Sequence, residues 1–380
     1  MHGETTIPER LMNSDTKGDR NNEQSQAEPA LYYEAMLAKA REGDPDAQLE
    51  VGRCCAEGFG VKRNRGEAAK WFEKGVAAFR KKADSGDPEA VFMLARCYDD
   101  GTGVFRDDRE ASRLYRTAVE MGHAGAARKL GVRCAFGLGV CRDVGEAVRL
   151  YRLAAEGGDV DGQAALALSY QRGEGVAQDP AQALFWFEKA AEGGNLSAMI
   201  AAARAYLAGE GGAKDPARAL HWFRQAAEAG AAGAAASLGL LYFDGDEFLR
   251  DDALAAKWLA EAVAEDDISA FRAFGVLLMQ GRGIEKDIPR GLSLIRDAAC
   301  AGDDSAQLLI GSLYHDGNGL PADREKALRW WKESAHNGNL EAQSLLQGMG
   351  VAEKDWIDLP EWFDEDDDAE SGSPEDSSAQ

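Results

Sequence analysis

Apolar residues in this chain recur in a fixed grammar between residues 43 and 350. A small residue comes first: Ala47, Ala90, Ala126, Gly162, Ala198, Ala234, Ala270 and Ala306. Four positions later stands a mostly aliphatic residue (Val51, Leu94, Leu130, Leu166, Leu238, Ile310), followed at once by Gly or Ala. Four positions after the aliphatic residue there is usually a Tyr: Tyr98, Tyr170, Tyr206, Tyr242 and Tyr314. Spacings of four and four mark one face of a helix. Gly-x-Gly turns then begin at Gly58, Gly101, Gly137, Gly173, Gly209, Gly281 and Gly317, and Gly245 holds the same place. From Gly101 onward each interval is 36 residues; the first is 43, because seven additional residues follow Trp71-Phe72.

Behind each turn the pattern predicts a second helix. Asn64, Asp107, Asp143, Asp179, Asp215, Asp251, Asp287 and Asp323 stand where an N-cap would accept the free backbone N–H groups. Bulky apolar pairs follow, among them Trp71-Phe72, Leu150-Tyr151, Trp222-Phe223 and Trp330-Trp331, and Gly closes most copies. Helix, turn, helix, turn: the unit is an antiparallel helix pair, and eight copies stand in register.

The resulting string, A-x3-LG-x2-Y-x2-G-x-GV-x2-D-x3-A-x2-WF-x-KAA-x2-G, resembles the Sel1-like repeat, a relative of the tetratricopeptide repeat. Residues 161–194 follow it nearly position for position. Departures are local: Gly212 replaces the post-turn aliphatic residue, Glu247 replaces a turn Gly, and the seventh copy lacks Tyr. The resemblance implies an all-α fold, a right-handed α/α superhelical solenoid of eight helix-pair repeats with a capping helix at each end. Residues 30–42 read as the first cap and residues 339–349 as the last. Three segments follow: a polar N-terminal stretch, 1–29, expected to be disordered; the solenoid, 30–350; and an acidic, aromatic-containing tail, 351–380, also expected to be disordered.

Charge narrows the range of partners. The net charge is −23 over 380 residues, which argues against nucleic acid and against an anionic membrane surface, since both require a basic footprint. No apolar run reaches the length of a spanning helix, and the first residues lack a secretory profile, so a cytoplasmic protein is expected. The six cysteines form no C-x-x-C pair and no zinc-ligand spacing, and four of them fall on helix positions held elsewhere by Tyr, Ala or Leu, as expected of small buried hydrophobes. Eightfold recurrence makes Gly-x-Gly a turn and not a phosphate loop, and it makes the Asp row helix caps and not catalytic acids. No Ser/His/Asp or metal-ligand constellation has local support, so neither catalysis nor a cofactor is expected.

Function should reside in what the repeat leaves variable. The resemblance implies that the first helix of each pair lines a concave groove. Non-core positions of these helices carry Arg53, Phe92, Arg96, Arg128, Arg172, Arg204, Phe243, Arg272, Met279 and His315. A mixed Arg and aromatic lining suits a protein or peptide partner. The tail holds 12 acidic residues and one Lys, yet also Trp356, Ile357, Leu359, Trp362 and Phe363. A merely solvating tail has no need of five bulky apolar residues, so this motif is expected to dock onto a partner or back onto its own groove. The expected function is a protein–protein interaction scaffold or adaptor of bacterial type. One alternative is a regulatory or effector protein whose tail masks the groove; a remoter one is a hydrolase of cell-wall-type ligands, for which the sequence supplies no convergent polar site.

Overall fold

The computed structural model describes residues 22–245 and 250–357. Every regular element among the described residues is helical. The chain divides into two compact units, residues 1–219 and 220–380, and each is taken by itself.

The first unit holds α1 (Asn22–Arg41), α2 (Pro45–Glu57), α3 (Arg65–Asp84), α4 (Pro88–Asp100) and α5 (Asp108–Glu120). It continues with α6 (Ala124–Phe136), α7 (Val144–Glu156), α8 (Val160–Arg172), α9 (Pro180–Glu192) and α10 (Leu196–Ala208). Helix α11 (Pro216–Glu228) spans the boundary between the units. The pairs α2–α3, α4–α5, α6–α7 and α8–α9 pack as expected, and each second helix also packs on the next first helix. The seven additional residues lengthen α3 to 20 residues, against 13 for its counterparts α5, α7 and α9. Helix α1 packs on α2 through Met36, Leu37 and Ala40. It begins at Asn22, eight residues ahead of the boundary drawn at 30.

The second unit holds α12 (Ala234–Asp244), α13 (Asp252–Ala264), a 3-10 turn (Ile268–Ala270), α14 (Phe271–Gln280) and α15 (Ile288–Cys300). After these come α16 (Asp304–Asp316), α17 (Arg324–His336), α18 (Leu340–Gly348) and α19 (Lys354–Ile357). The pairs are α12–α13, α14–α15 and α16–α17, while α18 and α19 both pack on α17.

Local chemistry accounts for the element ends. Asp107, Asp143, Asp179, Asp251, Asp287 and Asp323 each accept backbone N–H groups of the following helix, and Asp215 accepts from Arg218 N at 3.0 Å. First helices carry their own caps, which the repeat reading did not single out: Asp44, Asp87, His123, Asp159, Asn195, Asp303 and Asn339. The Gly or Ala after the aliphatic residue is where the bulky pair of the second helix inserts. A Cβ on Gly311 would lie 2.5 Å from Trp331 Cδ1, so no larger residue fits there without moving the helices apart.

In the last copy the 36-residue register runs past α18. Trp356 stands 36 residues after Leu320, at the post-turn aliphatic place. It is 2 % exposed and belongs to the same core as Ile310, Trp330, Trp331 and Leu346. Its carbonyl oxygen lies 3.0 Å from His336 Nδ1. Trp356, the first residue of the expected tail motif, is therefore part of the core of the second unit. Removing so large a buried ring costs about 3–5 kcal/mol, and in a repeat array such a loss stays near its site. Trp356→Ala is expected to strip hydrogen-exchange protection from α17 and α18 while leaving α4–α7 unchanged.

Candidate functional site

The groove residues separate into three sets. In the first, side chains on first helices reach the N-cap of the next first helix, 31 residues on. Arg128 Nε donates to Asp159 Oδ1 at 2.9 Å, and Arg272 Nε donates to Asp303 Oδ2 at 3.3 Å. Phe92 holds the same register place, and its ring stacks on His123 with centroids 4.3 Å apart. These three residues clip successive repeats together. Phe243 has a similar duty, lying beneath the Arg282 guanidinium at 5.4 Å.

A second set is near solvent but forms no site. Arg172 and Arg204 are exposed. Arg53 bonds the nearly buried Glu50 at 2.8 Å and Arg96 reaches Met93 Sδ at 3.6 Å; both border a depression of only about 10 Å³. Met279 departs from its expected place. It packs within its own helix pair, where a Cβ on Gly291 would meet its Cγ at 2.7 Å.

The third set forms a concavity. Arg272 from α14 and His315 from α16 border an open hollow of about 700 Å³ in the second unit. Its apolar lining is Leu308 and Leu309 from α16, Leu345 and Met349 at α18, and Trp331 from α17 beneath them. Polar groups stand around it: Ser305, Ser312 and Asn339, with the carboxylates of Asp316 and Glu341. Leu345 is 36 % exposed and Met349 53 %, so apolar surface here remains in contact with water. His315 lies against Trp331, ring centroids 5.3 Å apart, with Nδ1 2.9 Å from Asp316 Oδ1. Helix α16 supplies half of the lining residues, with Arg272 from α14 and Glu341 and Leu345 from α18. Of the tail motif, Trp356 packs outside this lining and Ile357 is exposed; Leu359, Trp362 and Phe363 lie outside the described residues.

One recurrent feature and one singular residue escaped the sequence reading. Arg80, Arg152 and Arg224 each donate to the Tyr hydroxyl 18 residues later, Tyr98, Tyr170 and Tyr242, at 3.0, 2.8 and 2.7 Å. That spacing was open to detection. The other is Arg133, 2 % exposed, at the register place where Leu277 and Leu313 sit. Its guanidinium donates to Asp99 Oδ1 (2.6 Å), Ser112 Oγ (2.6 Å), Asp108 O (2.7 Å) and Asp108 Oδ1 (3.0 Å). A cation so buried persists because four hydrogen bonds compensate its loss of water, and these bonds join α6 to α4 and α5.

Compared with known protein families, the chain matches the Sel1 repeat eight times: residues 45–78, 88–123, 124–159, 160–195, 196–230, 232–267, 269–303 and 304–339. The chain belongs to the Sel1 repeat family. Its structure is similar to that of a protective antigen of uropathogenic Escherichia coli strains with an SLR fold, at 25 % identity and a TM-score of 0.58, covering 88 % of this chain and 82 % of that one. It is also similar to a Sel1 repeat protein from Oxalobacter formigenes, at 26 % identity and a TM-score of 0.51, covering 88 % and 95 %. No curated protein matches the chain. Sel1 repeat proteins are typically non-enzymatic scaffolds, and repeat folds of this type generally mediate protein–protein interaction. Among the described residues no helix is long and apolar enough to cross a membrane.

The joints and thiols yield two measurable consequences. Hydrogen bonds from Arg133 hold the Asp108 carboxyl below the usual carboxylate range, and those from Arg282 do the same for Asp252. A carboxyl depressed in the folded state contributes stability above its unfolded value of about 4, and that contribution is lost as pH falls through the folded value. Thermal midpoints are therefore expected to drop as pH falls below about 4, and Asp108→Asn should flatten part of that slope. Burial pushes the Cys54 thiol up to about 12 and that of Cys97 to about 11, and raises Cys55 and Cys134. Cys141 and Cys300 are exposed, so thiol titration of the native chain should show two rapid groups, with four more after denaturation.

Proposed function

We propose that this Sel1 repeat protein is a scaffold that binds a segment of a partner protein in the α14/α16/α18 concavity of its second unit. One observation carries the reading: three successive first helices converge on a hollow of about 700 Å³ floored by Leu308, Leu309, Leu345 and Trp331. Exposed apolar surface within a polar rim is the usual anatomy of a protein-binding patch. Arg272 and His315 belong to the same lining, so two of the expected groove residues serve it directly. Residues such as Arg128 and Phe92 serve partner binding indirectly, by fixing the angles between repeats.

Leu345 and Met349 can be truncated with little effect on the core, because both are substantially exposed. A double variant, Leu345→Ser/Met349→Ser, is expected to lose captured partners by at least about tenfold, the scale of an interface hot spot. Phe185→Ser, an exposed position on α9, should leave capture unchanged. Quantitative mass spectrometry of proteins retained by the intact chain and by the two variants measures the difference. Equal retention by all three would remove the concavity from the function.

A further inference from the structure

We infer that the concavity selects a cationic amphipathic segment, one presenting bulky apolar anchors flanked by Lys or Arg; this rests on the partner-binding reading above. Three observations on charge lead there. Within the lining, Arg272 is the single Arg or Lys, against the carboxylates of Asp316 and Glu341. Nor is that cation free, because Asp303 holds it at 3.3 Å. An approaching peptide therefore meets an apolar floor and a rim with two carboxylates, Asp316 beside His315 and Glu341, against one Arg already held by Asp303.

The second observation is the spread of charge along the chain. Residues 1–219 carry 30 Lys or Arg and 34 Asp or Glu, a balance of −4. Residues 220–350 carry 12 and 20, a balance of −8, and residues 351–380 add a balance of −11. Most of the net charge of −23 thus lies in the part of the sequence that builds the concavity and continues from it. Such a field speeds encounter with a cationic partner and weakens as salt rises.

The third observation concerns the chain's own tail as occupant. Its apolar residues Leu359, Trp362 and Phe363 are interspersed with Asp358, Glu361 and Asp364. Bringing those carboxylates to a rim that already holds Asp316 and Glu341 sets like charge against like, with no free cation in the lining to offset it. Trp356, the first residue of the tail's aromatic motif, is already buried against the last helix pair. Charge therefore favours a basic partner over self-masking.

Fluorescence anisotropy on the full chain tests the inference. The probes are a labelled helical peptide of Leu and Lys and its counterpart of Leu and Glu. The Leu/Lys peptide is expected to bind at low salt and to weaken as salt is raised, and the Leu/Glu peptide is expected not to bind. Leu345→Ser/Met349→Ser should lower Leu/Lys affinity by at least about tenfold. Asp316→Asn/Glu341→Gln should lower it several-fold and flatten the salt dependence. A full-length variant with Asp364, Glu365, Asp366, Asp367 and Asp368 replaced by their amides should retain binding that still depends on Leu345 and Met349.

Equal binding of both peptides would overturn the inference. So would binding that survives the concavity variants but vanishes in the amide variant, since the tail alone would then be the attractor. Displacement of the Leu/Lys peptide by a synthetic peptide of residues 358–380 that itself binds the concavity would establish self-masking instead. If the Leu345/Met349 variant loses captured partners yet the Leu/Lys peptide does not bind, the charge rule fails and the scaffold reading stands. If that variant affects neither, both fail.

Discussion

Everything in this structure depends on how closely the two helices of a pair can approach. That distance is set where a residue with little or no side chain faces a bulky one: Gly311 against Trp331, Gly131 against Tyr151, Gly239 against Leu259 and Gly275 against Ile295. A ring or branched chain fills the space that a Cβ would take, and packing at this density tolerates no exchange of one side for the other. Helix propensity points the opposite way, since Gly destabilises a helix interior. The persistence of Gly there shows that the packing term outweighs propensity.

Contacts between pairs are more varied. One joint uses a stacked Phe92 and His123, another an ion pair between Arg128 and Asp159, and a third the bonds of Arg282 to Asp252 at 2.6 and 2.9 Å. Arg133 replaces an apolar core residue with a cation that donates four hydrogen bonds. Each solution satisfies the same steric frame with different chemistry, so individual joints differ in their response to pH and salt even though the backbone repeats.

This division explains what could be read in advance. The helix pairs, the Asp caps of the second helices, the turn glycines and the seven-residue insertion after Trp71-Phe72 were legible because each repeats at a fixed interval or interrupts one. The groove was legible only as a row of positions. Arg128, Arg272 and Phe92 look alike as exposed helix residues, and only the fold reveals a cap residue 31 positions on within reach of each. Met279 reads as a surface residue by register but turns inward because Gly291 leaves room for it. Trp356 was legible as an anomaly in an acidic tail, yet its place in the core follows from a register that continues where the helices stop. Convergence of Leu345 and Met349 with Leu308 and Leu309 depends on the curvature between neighbouring first helices, which no spacing along the chain encodes.

The second glycine of the turns has a role beyond its left-handed backbone. A Cβ on Gly103 would press to 2.8 Å from the Phe72 carbonyl oxygen within α3, and one on Gly139, Gly175, Gly211 or Gly283 would come to 2.0–2.4 Å from the carbonyl oxygen of the first residue of the preceding second helix. Each of these turns is therefore shared property of two consecutive repeats. The unit that can be removed or duplicated without creating a foreign junction is then not a helix pair but the 36-residue span from one glycine to its equivalent. A chain assembled under that rule grows or shrinks in whole 36-residue steps, with each turn keeping the backbone on which it rests.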